Sequence, residues 1–259
     1  MFPLQSFVIQ SSLLIYLSTM ASQPEDAKVK TPIYLAIDLE VFGPRICDEV
    51  VAVGVCLGDH VGNVIEKKTW CVKTDTAIHP AAKPFWDHNK NVLDGIRKHA
   101  QNVEDVWPAI ATWLDKKREE YSDLIIVSDN PGFDIYRFNV AIERFADRPG
   151  IQYTKDCDYC FTVDPSERLA ALPIVVREDI ANTVDRIANV THWPEDDAYH
   201  HYVLCVLVQR SIDEMDRSQL MDFDYPDPPL PPLVFFASAP EVQKQTPIVG
   251  FEEVELPHV

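Results

Sequence analysis

Three apolar segments rich in β-forming residues follow one another early in the chain, before any helical pattern begins. They cover residues 33–38, 49–57 and 64–72, and the turn-forming segment 58–63 separates the second from the third. Short connections of this kind join antiparallel strands. The spacing therefore predicts a three-stranded antiparallel meander whose first strand is central in a larger sheet.

The remainder of the chain alternates between helical periodicity and short apolar runs. Apolar residues recur at helical spacing in several segments, and two further short runs predict strands. The predicted helices are 82–100, 103–121, 133–145, 178–188 and 197–215, and the predicted strands are 124–127 and 159–163. This order predicts an α/β fold, a mixed five-stranded sheet with helices on its faces.

Composition predicts where the folded domain begins and ends. Eight of the 20 prolines lie beyond residue 221, so 221–259 is predicted to be an acidic, proline-rich tail and 31–220 the domain. Residues 1–30 are interpreted as a leader or disordered N-terminus. The apolar part, 2–19, has no positive charge before it, which is atypical of a signal sequence but leaves one possible. No membrane partner is expected, and we expect an intracellular protein, cytoplasmic or nuclear.

Charge and cysteine content exclude some classes of protein. A formal charge of −18 argues against a protein that coats nucleic acid by bulk electrostatic attraction. Any contact with nucleic acid must then be local or involve metal ions. Cys157 and Cys160 form one C-x-x-C pair with no second pair to complete a zinc site, so they are interpreted as reduced thiols.

Acidic residues stand at the ends of several predicted elements. Asp38 and Glu40 end the first strand, and their i, i+2 spacing places both carboxylates on one side of it. Asp134 falls in the first turn of a predicted helix, where the helix dipole favours an anion. His192 precedes Asp197, which opens the last predicted helix. Taken alone, Asp134 is more typical of the start of a helix, and the alternative for Asp197 and His192 is a capping acid preceded by an exposed histidine.

Taken together, acids from separate elements predict one kind of chemistry. Carboxylates are hard oxygen ligands that suit Mg²⁺ or Mn²⁺ rather than zinc. Two such ions about 4 Å apart stabilise the attacking and leaving oxygens in phosphodiester hydrolysis. A histidine with a pKa near neutrality can accept the proton of the attacking water.

Three motifs, in this order, resemble those of the DnaQ-like 3′–5′ exonucleases, in the branch known as DEDDh. They are Asp-x-Glu closing the first strand, Phe-Asp opening a helix, and His-x4-Asp before the terminal helix, and the resemblance spans residues 33–210. It implies an RNase H-like fold and a metal-dependent exonuclease acting on single-stranded RNA or DNA 3′ ends.

The resemblance also implies roles for individual residues. Asp38, Glu40, Asp134 and Asp197 would bind two Mg²⁺ or Mn²⁺ ions, with Glu40 also holding the nucleophilic water. His192 would be the general base. Because Asp129 stands where family members often carry histidine, it is either an outer residue of the site or itself a ligand.

Substrate contacts are predicted from residues near the first motif. Leu39 and Phe42 are candidates to stack against bases, with core packing as the alternative for Phe42. The segment 83–86, Lys-Pro-Phe-Trp, is similar to an aromatic segment of family members that act on RNA. His200 and His201 are assigned to the surface of the last helix, with replacement of His192 by one of them as the alternative.

Two other functions remain open from the sequence. One is an inactive RNase H-like module that binds nucleic acid or protein, and the other is an endonuclease on the same fold. The segment 227–233 has the composition of a polyproline ligand and predicts a protein partner, or else a stiff linker.

Overall fold

The computed structural model of the protein describes residues 31–121, 124–151 and 162–220. Within these ranges it contains one mixed sheet of five strands in the order β3-β2-β1-β4-β5. The strands are β1 (Ile33–Val41), β2 (Val50–Asp59), β3 (Val64–Cys71), β4 (Leu124–Val127) and β5 (Thr162–Val163). β1 pairs with β2 antiparallel and with β4 parallel, so the predicted meander with a central first strand is confirmed.

Seven helices flank the sheet in the described part of the chain. They are α1 (Lys83–His88), α2 (Lys90–His99), α3 (Val103–Glu120), α4 (Asp134–Ala146), α5 (Pro165–Ala170), α6 (Ile174–Ile187) and α7 (Pro194–Leu220). The mixed five-stranded α/β fold expected from the sequence is confirmed. The single helix predicted over 82–100 is instead two, because the backbone leaves helical geometry at Asn89.

One face of the sheet packs against α3 and α4. Alternate residues of β1, among them Leu35 and Ile37, face this side and are fully buried. Trp107 of α3 and Phe138 of α4 meet edge to face against them, with ring centroids 5.7 Å apart. This apolar layer holds β1 rigidly along its length.

The opposite face of the sheet packs against α6 and α7. Tyr34 and Ala36 of β1 point to this side, where Tyr202 of α7 is fully buried. The Tyr202 hydroxyl donates a hydrogen bond to the carbonyl of Asp59 at 2.8 Å. A side chain at Gly58 would collide with the Tyr202 ring, so glycine permits the close contact of α7 with β2.

The short helices α1 and α2 cover the end of the sheet at which β1 terminates. Trp86 of α1 is buried, and its indole N–H donates to the carbonyl of Val41, at the end of β1, at 3.1 Å. Phe42 packs edge-on against Trp86 at 5.8 Å between centroids. These contacts fix the chain immediately after the Asp-x-Glu motif.

Several sequence predictions fall outside the described residues. These are the leader over 1–30, the cysteine pair at Cys157 and Cys160, the first part of the strand predicted over 159–163, and the tail over 221–259. In the portion that the structure describes, no helix combines the length and the apolar character needed to span a bilayer.

Candidate active site

Asp38 and Glu40 lie on the face of β1 that α7 covers. They continue the row begun by Tyr34 and Ala36, whereas Leu39 between them points to the α3–α4 side. Glu40 is 7% exposed, and the Asp38 side chain is 16% exposed. Two carboxylates are therefore held side by side with little contact with water.

A glycine lets the last helix reach this end of β1. Gly54 of β2 pairs in register with Asp38, and a side chain at Gly54 would collide with the backbone of Pro194. The first turn of α7 can rest on the sheet here only because Gly54 has no side chain. Asp197, in that first turn, is thereby brought towards β1.

Asp134 reaches the same place from the other side of the sheet. Because β1 and β4 are parallel, their carboxyl ends lie together, and α4 begins a few residues after β4. Asp134 is the first residue of α4 and is 4% exposed. The hydroxyl of Ser128, just beyond β4, donates to its Oδ2 atom at 2.9 Å.

His192 sits against Asp197 in the turn before α7. The backbone N–H groups of Thr191 and His192 donate to Asp197 Oδ1 at 2.8 and 3.2 Å. His192 Nδ1 lies 3.7 Å from Asp197 Oδ2. His192 has a φ of 58°, in the left-handed region, which helps turn its side chain back towards the acids. Potential ligand atoms of Glu40, His192 and Asp197 all lie within 4.8 Å of one another.

Burial and the repulsion between the acids change the acidity of three of them. Burial and the charges of Asp38, Asp197 and Asp134 raise the pKa of Glu40 to about 9. Burial and Asp38 also raise the pKa of Asp134 to about 7, while the hydrogen bond from Ser128 opposes this. Burial raises the pKa of Asp197 as well, against the hydrogen bond from the Thr191 backbone. The four carboxylates thus form one electrostatic cluster.

The donors in this cluster suit a hard divalent cation. The Asp38 Oδ2 atom is buried and has no hydrogen-bond partner among the described residues. A buried oxygen without a partner is costly, and a bound cation would satisfy it. Carboxylate oxygens are the preferred protein ligands of Mg²⁺ and Mn²⁺. The residues present therefore fit the predicted ions.

The two predicted base contacts occupy other positions. Leu39 is 6% exposed within the apolar layer facing α3 and α4, and Phe42 is 4% exposed against Trp86. The core-packing alternative for Phe42 is thus the observed arrangement, and neither side chain offers a surface on which a base could stack. Phe85 is 37% exposed, and its ring meets that of His192 at 4.9 Å between centroids. The aromatic segment noted in the sequence supplies this exposed ring.

The surface assignment of His201 is wrong. His201 is 7% exposed, and its Nε2 atom lies 3.4 Å from Asp38 Oδ1 and 3.5 Å from Asp129 Oδ1. Burial alone would lower its pKa, but the hydrogen bond to Asp38 and the charge of Asp129 raise it. The available signal was helical periodicity: four residues after Asp197, His201 shares its helix face.

His200 and Asp129 lie on either side of this arrangement. His200 is half-buried and turns away from the acids, with its Nδ1 atom 2.9 Å from the carbonyl of Ala188. Asp129 follows β4, keeps 42% of its side chain exposed and contributes to the raised pKa of Asp134. Asp129 therefore borders the cluster and contacts it through His201.

No protein-family model matches this sequence, and no curated protein matches it. Among solved structures, exonuclease I in complex with the inhibitor BCBP has a TM-score of 0.51 at 15% identity, covering 74% of this chain and 46% of that chain. E. coli exonuclease I in complex with a 5cy-dA13 oligonucleotide has a TM-score of 0.50 at 16% identity, covering 74% of this chain and 45% of that one. The chain therefore spans less than half the length of these exonuclease I structures.

At such identities the similarity establishes the fold. A mixed sheet in the order 3-2-1-4-5, flanked by helices on both faces, is an RNase H-like fold. The chain shares this fold with the two exonuclease I structures, and the fold that the three motifs implied is therefore confirmed.

Proposed function

We propose that this protein is a metal-dependent 3′–5′ exonuclease that hydrolyses phosphodiester bonds at single-stranded ends of RNA or DNA. The proposed ligands of two Mg²⁺ or Mn²⁺ ions are Asp38, Glu40, Asp134 and Asp197. The proposed general base is His192.

One observation carries the proposal: four largely buried carboxylates from three separate elements meet, and burial together with their mutual repulsion raises the pKa of Glu40, Asp134 and Asp197. Asp197 and Asp134 accept hydrogen bonds from their neighbours, but these bonds do not offset the burial and repulsion that raise the pKa of both acids. Buried carboxylates that repel one another destabilise a fold unless cations neutralise them. A domain used only for binding would gain stability by replacing them.

The remaining groups of the site suit hydrolysis of a phosphodiester. Bound divalent ions would polarise the scissile phosphate and favour deprotonation of the attacking water. His192 is 40% exposed at the rim of the cluster, so it can meet a water molecule and pass the proton to solvent. The contact of Nδ1 with Asp197 leaves Nε2 available to accept that proton.

The form of the substrate is inferred from charge and from the fold. The chain carries a formal charge of −18, so extended contact with a nucleic-acid backbone is unfavourable and recognition of a few terminal nucleotides is favoured. Exonuclease I, which shares the fold, has been crystallised with a 5cy-dA13 oligonucleotide. Both points support a single-stranded end as the substrate.

The test uses the full chain with oligonucleotides of RNA and of DNA, each labelled at the 5′ end, in Mg²⁺ or Mn²⁺. We expect a ladder of products shortened one nucleotide at a time, and protection when the 3′ end carries a nuclease-resistant linkage. Asp38→Asn should abolish the ladder. Asp179→Asn, at an exposed acid on α6, is the matched control and should leave it unchanged.

Three results would contradict the proposal. Products of internal cleavage would indicate an endonuclease. Protection by a blocked 5′ end would mean that digestion starts from the 5′ end instead of the 3′ end. Oligonucleotide binding without any cleavage in either metal would indicate the inactive binding module.

A further inference from the structure

His201 is a second histidine within the acidic cluster, in a position different from that of His192. It lies one turn after Asp197 on α7 and is 7% exposed. Its Nε2 atom is 3.4 Å from Asp38 on β1 and 3.5 Å from Asp129 beyond β4. A single nitrogen therefore faces one carboxylate on β1 and another in the segment that follows the neighbouring strand β4.

The hydrogen-bonding chemistry fixes the orientation of this ring. An ionised carboxylate only accepts hydrogen bonds, so Nε2 must carry the proton that is directed at Asp38 and Asp129. The other nitrogen, Nδ1, is buried and has no hydrogen-bond partner among the described residues. Among the described residues, the imidazole nitrogens therefore make polar contacts with these two carboxylates only.

The contact distinguishes the two oxygens of Asp38. Oδ1 faces His201, whereas Oδ2 is buried without a hydrogen-bond partner in the described part of the chain. Carboxylates that bind metals are themselves commonly oriented by hydrogen bonds from neighbouring groups. The geometry here provides such a group for one oxygen and leaves the other for a cation.

We propose that His201 is a positioning residue that orients Asp38 for metal binding, and that Asp129 holds His201 in place from the solvent side. The proposal rests on the metal site of the proposed function. It assigns Asp129 a place outside the ligand set. His201 does not touch the substrate, because its ring is enclosed by α7, β1 and the segment after β4.

Two amide variants of His201 separate positioning from packing. Glutamine can place an amide N–H near the position of Nε2, whereas asparagine carries the same group on a shorter side chain that stops short of Asp38. We expect His201→Asn to raise the Mn²⁺ dissociation constant about 10–100-fold, whereas His201→Gln stays within about threefold of wild type. Binding is measured on the full chain by the loss of the free Mn²⁺ signal in electron paramagnetic resonance.

His200→Gln is the matched control for these variants. It changes the adjacent histidine on the same helix, which contacts Ala188 rather than the acids, and should leave Mn²⁺ affinity unchanged. Asp129→Asn should weaken Mn²⁺ binding less than His201→Asn, because Asp38 keeps its contact with the imidazole. Circular dichroism confirms that each variant is folded before its affinity is compared.

The outcomes separate this inference from the proposed function. If His201→Asn and His201→Gln bind Mn²⁺ equally well or equally poorly, His201 is not a positioning residue. If Asp129→Asn abolishes Mn²⁺ binding, Asp129 is a ligand and the assignment is overturned. If wild type binds Mn²⁺ with the expected order of variants but cuts no nucleic acid, only the proposed function fails.

Discussion

Glu40 is the residue of the acidic cluster whose pKa departs furthest from its ordinary value. Its burial, together with the charges of three neighbouring carboxylates, raises that pKa to about 9. This position shows how far sequence alone can reach: the i, i+2 spacing of Asp38 and Glu40 predicts two carboxylates on one side of a strand. It cannot predict that acids from α4 and α7 approach them, because that depends on how the helices dock.

Replacement of Glu40 by a neutral side chain should therefore stabilise the metal-free protein at neutral pH. Because the pKa of Glu40 is about 9 in the folded protein, this carboxylate must take up a proton on folding at neutral pH, and Glu40→Gln keeps the shape of the side chain while removing that cost. We expect the Tm in EDTA to rise by about 3 °C or more, since each kcal/mol shifts Tm by about 2–4 °C in a chain of this size. Thermal unfolding followed by circular dichroism measures this. Glu178→Gln, at an exposed acid on α6, is the control, and an equal Tm for both variants would contradict the account.

His192 should affect turnover more than binding. His192→Asn removes the proposed base while retaining a residue type that tolerates the left-handed backbone at φ 58°. We expect kcat to fall about 10²–10⁴-fold, with KM changed much less. Steady-state hydrolysis of a labelled oligonucleotide measures both constants. His99→Asn, at an exposed histidine on α2, should behave as wild type, and an unchanged kcat in His192→Asn would remove the residue from the mechanism.

The wrong surface assignment of His201 has a specific physical cause. The motif ends at Asp197, so a histidine four residues later has no position in the pattern. Only the 3.6-residue period of α7 places it on the side of Asp197, and only the packing of α7 on β1 brings it to Asp38. Leu39 and Phe42 illustrate the opposite error, because proximity to the motif in sequence did not give them an exposed surface.

At the scale of elements, strands with strong apolar patterns were predictable and short helices were not. The bounds of β4 follow directly from its run of four apolar residues between polar segments. Helix α5 was missed because six residues show little periodicity. It does begin with a recognisable cap, in which Asp164 accepts a hydrogen bond from the Glu167 N–H at 2.9 Å and Pro165 follows it.

The close approach of α7 to β2 predicts the effect of a single methyl group. Gly54→Ala introduces a side chain where the backbone of Pro194 lies, so the first turn of α7 must move. We expect the free energy of unfolding, measured by urea denaturation, to fall by about 1–3 kcal/mol. Because the movement carries Asp197 away from Asp38, Mn²⁺ affinity should fall as well.

Gly132→Ala is the control. A new methyl group there meets only Asn130, at 3.9 Å, and should change neither the stability nor the Mn²⁺ affinity. Equal effects of the two substitutions would contradict this role of Gly54.

Helix α1 should contribute to substrate binding through its exposed aromatic ring. Phe85 contacts His192 and keeps 37% of its surface exposed at the rim of the site. If terminal bases stack there, Phe85→Ala should raise KM about 5–150-fold, corresponding to about 1–3 kcal/mol of stacking, while Phe85→Tyr should stay near wild type. Val175→Ala, at an exposed apolar residue on α6, is the control. An unchanged KM in Phe85→Ala would leave the base contact to other residues.

At the scale of the whole molecule, the formal charge of −18 should govern the response to salt. Proteins that bind nucleic acid through many phosphate contacts lose affinity steeply as monovalent salt increases. We expect this protein to bind only a terminal segment of the nucleic acid. A plot of the logarithm of its association constant against log[KCl], at fixed Mg²⁺, should then have a slope shallower than about −2. Fluorescence anisotropy with a labelled oligonucleotide and the inactive Asp38→Asn variant measures the slope. A steep negative slope would reveal a basic groove and contradict the inference that recognition is local.

The proposed activity requires that carboxylates from β1, α4 and α7 bind divalent cations between them. A crystal of the full chain grown with Mn²⁺, with diffraction recorded at the manganese absorption edge, shows whether they do. We expect two anomalous peaks about 4 Å apart, in contact with Asp38, Glu40, Asp134 and Asp197. Manganese bound only elsewhere, or the absence of any peak between these four side chains, would contradict it.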